Sequence, residues 1–245
     1  MNNITTIEIG CIAGLFRYPI KSMSGTAVES AELGWHGLEG DRRFAFRRVT
    51  ERVPFPWLTA GRLPALLQYQ PILHGDVLTH VRTPDGAVLE IYSAELRQEV
   101  AQRCGQEVEL MQLKHGIFDE ASVSVISAST IRGLSEQSGK EVDQRRFRPN
   151  ILLETTNTEL FSEDEWVGGN LVFGEPATGA AVSATLRDLR CNMINLDPDT
   201  AESTPEILKA VARLNQGNAG VYGTVVRTGL LRVGQPVWLR RELNG

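Results

Sequence analysis

Hydrophobic positions along this chain come in short runs that alternate with polar ones and stop at frequent turn residues, with 23 Gly and 11 Pro spread throughout. That density of turn signals favours many short strands over long helices. The pattern predicts strands over residues 5–18, 43–49, 65–73, 77–83 and 87–91, the last two joined by the turn sequence Pro84-Asp85-Gly86. Further strands are predicted over 107–113, 123–127, 150–154, 170–173, 181–189, 221–226 and 236–240. Three segments have helical character: 94–103, 129–137 ending before Gly139, and 205–214, where Thr204 can cap and Pro205 suits the first helical position. The expected fold is mainly β (α+β), a strand-rich barrel with a few helices packed outside. Internal repeats and low-complexity tracts are absent, and the basic stretch from Gln144 to Arg148 is expected to mark the passage from an N-terminal portion to a C-terminal one.

Length and charge narrow the possible partners. At 245 residues the chain can bury a substantial core as one large domain or two small ones. The formal net charge of -5 argues against nucleic acid as a partner, which needs a broad basic face. Any anion site must therefore be local. The start, MNNITTIEIG, lacks a basic segment followed by an apolar run, and no later segment approaches roughly 18 uninterrupted apolar residues. These features read as a soluble, cytoplasmic protein with no membrane partner. Cys11, Cys104 and Cys191 are too few and too widely spaced for a disulfide framework or a tetrahedral zinc site.

Four stretches carry candidate chemistry. In "YPIKSMSG", Pro19 ends a strand by removing a ladder donor, and Lys21 and Ser22 follow in a loop that Gly25 allows to turn. A lysine beside a hydroxyl suits a phosphate or carboxylate, although a solvated turn would use the same residues. "GLEGDRRFAFRR" introduces Arg42 and Arg43 as a strand begins, and alternation sends their side chains to opposite faces, so at most one reaches a shared pocket. In "RRFRPN", Pro149 biases Arg148 toward an extended conformation just before the strand at 151–153. Arginine suits bidentate anion recognition; the alternative is a salt bridge to Glu163, Asp164 or Glu165.

The fourth stretch is "DLRCNMINLDPDT". If the strand before it continues to Cys191, then Arg187, Leu189 and Cys191 share one face while Asp188 and Arg190 share the other. Pro198 cannot continue a ladder, so Cys191 falls at a strand end facing a loop. Nearby arginines would there favour the thiolate, the form that attacks electrophiles and binds metals. The alternative is a buried cysteine acting as a small hydrophobe. No G-x-G-x-x-G or G-x-x-x-x-G-K-[ST] phosphate loop occurs, and "WVGGNLVFG" lacks the lysine. His36, His74, His80 and His115 are scattered singly and lie far from Cys191 in sequence.

Taken in order, "YPIKSMSG", "GLEGDRRFAF" with "WLTAGRLP", "GIFDEASVSVISASTI", "FRPNILL…EDEW", and "RCNMINLDPDT" followed by "VYGTVVRTGLLRVGQPV" resemble a MOSC-domain protein carrying the MOSC N-terminal β-barrel domain. The family includes the mitochondrial amidoxime-reducing component and bacterial relatives. The resemblance implies a smaller N-terminal β-barrel portion over residues 1–115 and a MOSC β-barrel core over 116–245, with strands exchanged between them. It also implies a molybdenum-pyranopterin (molybdenum cofactor, molybdopterin) site with Cys191 as catalytic residue and metal ligand. By the same resemblance, Lys21, Ser22, Arg42 and Arg148 match positions that contact the cofactor's phosphate and pterin. Arg190 and Tyr222 match neighbours of the metal, and Asn150 joins them as a cofactor-binding candidate. Pyridoxal phosphate binding attaches to the family only as a broad term.

The implied activity is reduction of small N-hydroxylated compounds. Three distant cysteines cannot supply the four thiolates of an iron–sulfur cluster. Electrons are therefore expected from a separate protein of ferredoxin, flavodoxin or cytochrome type with its reductase. Two other readings stay open: sulfur transfer through a Cys191 persulfide, and non-catalytic binding and delivery of the cofactor. Asp197 and Asp199 are expected to shape the Cys191 loop, and no general acid can be assigned. Relatives often have glycine after "DPDT", whereas this chain has Ala201, which leaves that loop's last turn in question.

Overall fold

Turn-limited alternation produces sixteen short strands in the computed structural model, which describes residues 3–49 and 54–243. The first are β1 (Asn3–Arg17), β2 (Thr26–Val28), β3 (Ser30–Gly34), β4 (Gly37–Leu38), β5 (Phe44–Arg48), β6 (Gln70–His74), β7 (Val77–Arg82), β8 (Val88–Glu90) and, after helix α1 (Ala94–Cys104), β9 (Val108–Gln112). There follow β10 (Val123–Ser127), α2 (Ala128–Ser138), β11 (Ile151–Thr155), β12 (Asn170–Phe173) and β13 (Ala180–Leu189). The chain then runs through α3 (Glu206–Asn215), β14 (Asn218–Arg227), β15 (Gly229–Arg232) and β16 (Pro236–Leu243).

Seven strands close a barrel in the order β11-β10-β14-β13-β12-β16-β1, with β1 returning to β11. Closure removes the unpaired edges of an open sheet. Its interior is filled by Ile12, Leu15, Val125, Leu153, Leu171 and Val182, all fully or almost fully buried. β1 precedes position 115 in the chain while its barrel partners β11 and β16 follow it, so the barrel is completed by the first strand.

Strands β5 and β9, the β6-β7-β8 sheet and helix α1 enclose a second core around Ile20, Phe46, Leu66, Tyr69 and Val81. Outside the barrel, α2 and α3 cover a third, around Ile131, Leu134, Ile207 and Val211. Serines start two of these helices: Ser93 accepts from the Leu96 amide and Ser127 from the Thr130 amide. Gly105 and Gly139 end them in the left-handed conformation that glycine adopts without penalty. No helix among the described residues is long and apolar enough to cross a membrane.

Several local expectations need correcting. Residues 65–73 are not one strand. Pro64 opens a 3₁₀ turn through Gln68 that buries Leu66 and Leu67, and the strand begins only at Gln70. Thr204 does not cap α3 with its side chain; Pro205 occupies the cap position and the Thr204 carbonyl accepts the Ile207 amide instead. Periodicity does not predict the strands β2, β3, β4 and β15. The Gln144 to Arg148 stretch lies between α2 and β11, both attached to the barrel, and forms a 3₁₀ turn there.

Barrel closure depends on Gly10. It lies where β1 bulges between its two partners, at φ +147°, and a Cβ there would sit 2.0 Å from the Glu154 carbonyl oxygen. Gly10→Ala is expected to destabilise the fold by roughly 2–5 kcal/mol through backbone strain and overpacking, as read from the denaturation midpoint. An unchanged midpoint would refute this account of closure.

Candidate functional site

Where β1 ends at Arg17, the chain turns through Tyr18 and Pro19 and runs against the start of β5: the Lys21 amide donates to the Phe44 carbonyl and the Arg42 amide to the Tyr18 carbonyl. These bonds fix the Lys21-Ser22 loop over the mouth of the barrel. From the other side come β10 and the turn between α2 and β11, carrying Ser124 and Arg148. Strand β13 and the loop after it contribute Asp188, Arg190 and Cys191. Together these segments enclose a cavity of about 770 Å³ that Lys21, Ser22, Arg42, Arg148, Arg190, Cys191 and Tyr222 all line.

Asn150 is not in the cavity wall. It is fully buried behind it, where its Oδ1 accepts from Arg42 Nη1 at 3.0 Å and from the Ser124 amide at 3.1 Å. Its Nδ2 donates to the Phe16 carbonyl, so the side chain joins β1, β10 and Arg42.

Arg42 is almost wholly enclosed. Its Nη1 donates to Asp41 and Asn150, its Nη2 to the Arg148 carbonyl at 2.8 Å, and its Nε pairs with Asp119 at 2.7 Å. A guanidinium has five N–H groups, so one remains for anything bound. Arg43, as alternation requires, points elsewhere and donates to the Gly116 carbonyl.

Arg148 has the opposite character. Pro149 does not hold it extended: Arg148 adopts φ 49° and ψ 46° as the end of the 3₁₀ turn, its amide bonded to the Arg145 carbonyl. The local turn and the bond from Arg42 override the bias that a following proline imposes. The anticipated alternative of a salt bridge to Glu163, Asp164 or Glu165 does not form. The guanidinium stacks 4.2 Å from the Tyr18 ring and donates to the Met23 carbonyl, while Nη2 has no hydrogen-bond partner among the described residues. Burial, reinforced by the like charge of Arg42, pushes it down to about 10. A cation so enclosed without a carboxylate partner calls for an anion.

The remaining groups shape the charge. Lys21 Nζ donates to the Phe118 carbonyl at 2.7 Å and keeps its other protons; burial lowers its pKa, against the pull of Asp119. Burial also works to raise the Asp119 carboxyl, yet Arg42 and Lys21 outweigh it and hold it below the usual carboxylate range. Burial pushes the Tyr222 hydroxyl up. Ser22, Arg42 and Arg148 all have positive φ, a conformation side chains rarely take, and such strain gathers where a site is built.

Cys191 follows the end of β13 as an exposed thiol. Alternation places Asp188 and Arg190 together, and they form a buried ion pair at 2.7 Å. Arg190 also donates to the carbonyls of Ala219 and Phe147. Gly220 makes room for it, since a Cβ there would lie 3.0 Å from Arg190 Nη2 and 2.8 Å from the Val125 carbonyl. Beyond Cys191, Asp197 Oδ1 accepts the amides of Asp199 and Thr200, and Arg146 and Arg145 pair with Asp197 and Asp199. Both aspartates therefore build the turn.

Residue patterns left out several contributors: Asp119 and Ser124 in the wall, Asp41 behind it on Arg42, and the aromatic wall of Trp57 and Phe118, whose rings meet at 4.7 Å. Asp119 and Ser124 do lie within the "GIFDEASVSVISASTI" stretch. None of the four histidines lines the cavity, and no group of three or more His, Cys, Asp or Glu able to hold a metal occurs among the described residues. A metal bound at Cys191 needs donors that arrive with it.

Two described domains match the chain: the MOSC domain over residues 112–238 and the MOSC N-terminal beta barrel domain over residues 9–124. The mitochondrial amidoxime-reducing component 1 of Homo sapiens is 24% identical, covering 95% of this chain and 83% of its own length. The mitochondrial amidoxime reducing component 2 of Bos taurus is also 24% identical, over 94% of this chain and 83% of its own. A molybdenum cofactor sulfurase of Drosophila pseudoobscura pseudoobscura is 25% identical over 57% of this chain but only 17% of its own length. The crystal structure of the YUAD protein from Bacillus subtilis shares the fold, with a TM-score of 0.53, 14% identity and coverage of 99% of this chain and 100% of that one.

Two outcomes follow from this geometry. Ala201 adopts φ 61°, so Ala201→Gly is expected to relieve left-handed strain and stabilise the protein by roughly 0.5–1 kcal/mol after the glycine entropy cost, measured by urea denaturation; a lower midpoint would contradict it. Burial, stronger here than the opposing pull of Arg190, raises Asp188 to about 6. The folded state thus holds that proton more tightly than the unfolded state, and stability should fall as pH rises from about 4 to about 6. Denaturation across that range should show this component in the parent and not in Asp188→Asn.

Proposed function

The chain belongs to the MOSC domain family, with a MOSC N-terminal beta barrel domain, and on that premise we propose that it binds a molybdenum-pyranopterin cofactor and reduces N-hydroxylated compounds with electrons from a separate redox protein. One observation carries the reading: an exposed cysteine thiol and a buried arginine lacking a counter-ion share one cavity.

The residues fit the group. Its phosphate would satisfy Arg148 Nη2 and the unbonded protons of Lys21, with Ser22 beside them. Arg42 serves mainly as the strut that holds the Arg148 backbone, since it keeps a single N–H to offer. Cys191 would supply the protein's thiolate, a soft donor suited to a metal that brings its other sulfur ligands with it. When bound, the cofactor supplies the two-electron oxygen-atom chemistry.

The chain's own contribution is orientation and enclosure. Arg190, tied to Asp188 and to the carbonyls on either side, sets the direction from which Cys191 enters the cavity. The aromatic wall of Trp57 and Phe118 faces the cavity and gives a flat organic substrate an apolar surface. In the net reaction the N–O bond of the substrate breaks, two electrons and two protons are taken up, and water leaves. With Cys191 the one cysteine lining the cavity and no cluster ligands among the described residues, this reading takes its electrons from a ferredoxin, flavodoxin or cytochrome-type donor and its reductase.

The exposed thiol also favours a second reading, sulfur carriage as a Cys191 persulfide, a role in keeping with the sulfurase similarity. Elemental analysis of protein expressed with molybdate separates the two. Molybdenum should bind the parent chain, Cys11→Ser and Cys104→Ser, and be lost from Cys191→Ser. Normal metal in Cys191→Ser would sink the ligand assignment. Cyanolysable sulfur without molybdenum would favour sulfur carriage, and cofactor bound without turnover under any donor would favour storage or delivery. Benzamidoxime reduction should need an added reductase and its electron carrier.

A further inference from the structure

On the far side of Arg148 lies a second cavity of about 510 Å³, which the proposed function leaves unused. Three stretches of chain meet there: the segment after β1 at Tyr18 and Ser24, the β6-β7 hairpin at Gln70 and Arg82, and the Arg145 and Asp199 turns. Arg82 stands beside Gln70 because the two are cross-strand partners.

The wall is unbalanced in charge. Its basic groups are Arg82, Arg145 and Arg148, and its one acid is Asp199. Asp199 is already taken by Arg145, through bonds of 2.9 and 2.6 Å. Neither Arg82 nor Arg148 has a carboxylate within ion-pair distance among the described residues, and Arg82 makes only a 3.4 Å bond to the Gly86 carbonyl. Arg148 Nη2 and the Tyr18 hydroxyl, both on residues more than nine-tenths buried, have no partner there either. The unmatched buried donors of Arg148 and Tyr18, with the exposed Arg82 guanidinium beside them, favour an oxygen-rich anion. A carboxylate would neutralise one guanidinium; a phosphate dianion neutralises both and presents oxygens in several directions.

We propose that this second cavity binds a phosphate-type dianion, free or carried on a small metabolite, through Arg82, the Tyr18 hydroxyl and one of the two Arg148 Nη2 protons, the other being the one offered to the first cavity. Two links tie it to the first cavity. Arg148 lines both, and Pro198 and Asp199 belong to the loop that begins at Cys191, where Gln68 Nε2 already reaches the Asp199 carbonyl at 3.0 Å. An anion held there joins the β6-β7 hairpin to the Arg148 turn, whose Arg145 pairs with Asp199 of that loop, and so stiffens the segment carrying Cys191.

The test uses the full chain expressed without molybdate, titrated calorimetrically with inorganic phosphate and, in a second arm, with glycerol 3-phosphate. The parent chain should bind two phosphates. R82Q should weaken one event by about tenfold or more, the scale of a lost charge-assisted bond, while R82K retains it and shows that the fold is intact. K21Q, which bears on the first cavity and on the proposed function, should weaken the other event. Hydrogen exchange at residues 197–201 should slow with phosphate in the parent and in K21Q but not in R82Q. Binding of glycerol 3-phosphate with the same Arg82 dependence would identify a phosphorylated metabolite, and exclusion of it would identify the free ion. Phosphate binding and loop protection unchanged in R82Q would overturn the assignment.

Discussion

The Arg42 guanidinium is enclosed between the barrel and the smaller β portion, with Asp41, Asn150, Asp119 and the Arg148 carbonyl around it. A charge taken out of water is costly unless it is paired and hydrogen-bonded on nearly every side. That demand is met by residues up to 108 positions away in the chain, so satisfying one cation aligns three segments at once. The left-handed turn at Arg148, the placement of Tyr18 and the course of the Lys21-Ser22 loop all follow from it. Removing the pairing would unfasten the cavity without touching any group that faces it.

Arg42 and Arg148 divide the work by donor count. Arg42 has nearly all its protons committed to protein and acts as scaffold, while Arg148 keeps donors unmatched and remains attractive to an anion. Arg190 follows the first pattern, held by Asp188 and two carbonyls. A cavity with several arginines is thus less positive in effect than its composition suggests. Its pull on an anion is concentrated at Arg148, Lys21 and Ser22, beside a separate aromatic wall and the Cys191 thiol.

The loop after Cys191 shows how backbone economy supports chemistry. Asp197 and Asp199 fold the turn by accepting amides and by pairing with Arg146 and Arg145, and the thiol is left exposed at the strand end. Its rigidity is borrowed from the 3₁₀ turn at Gln144 to Phe147, which itself ends in Arg148. The candidate metal ligand and the candidate anion anchor therefore belong to one mechanical unit.

Much of this was legible in the chain. Period-two alternation and turn residues located most strands, serine caps and glycine ends located helices, and strand alternation paired Asp188 with Arg190 ahead of Cys191. Each of these depends on neighbours a few residues apart, where local sterics decide. Three things were decided only by tertiary structure: the exposure of Cys191, the reversal of Arg148 from extended to left-handed, and the division of arginines into struts and anchors. Asn150 moved from presumed contact to hidden support for the same reason. Hydrogen-bond capacity is assigned by partners more than a hundred residues away, and no local pattern encodes which donor will be used up and which left free.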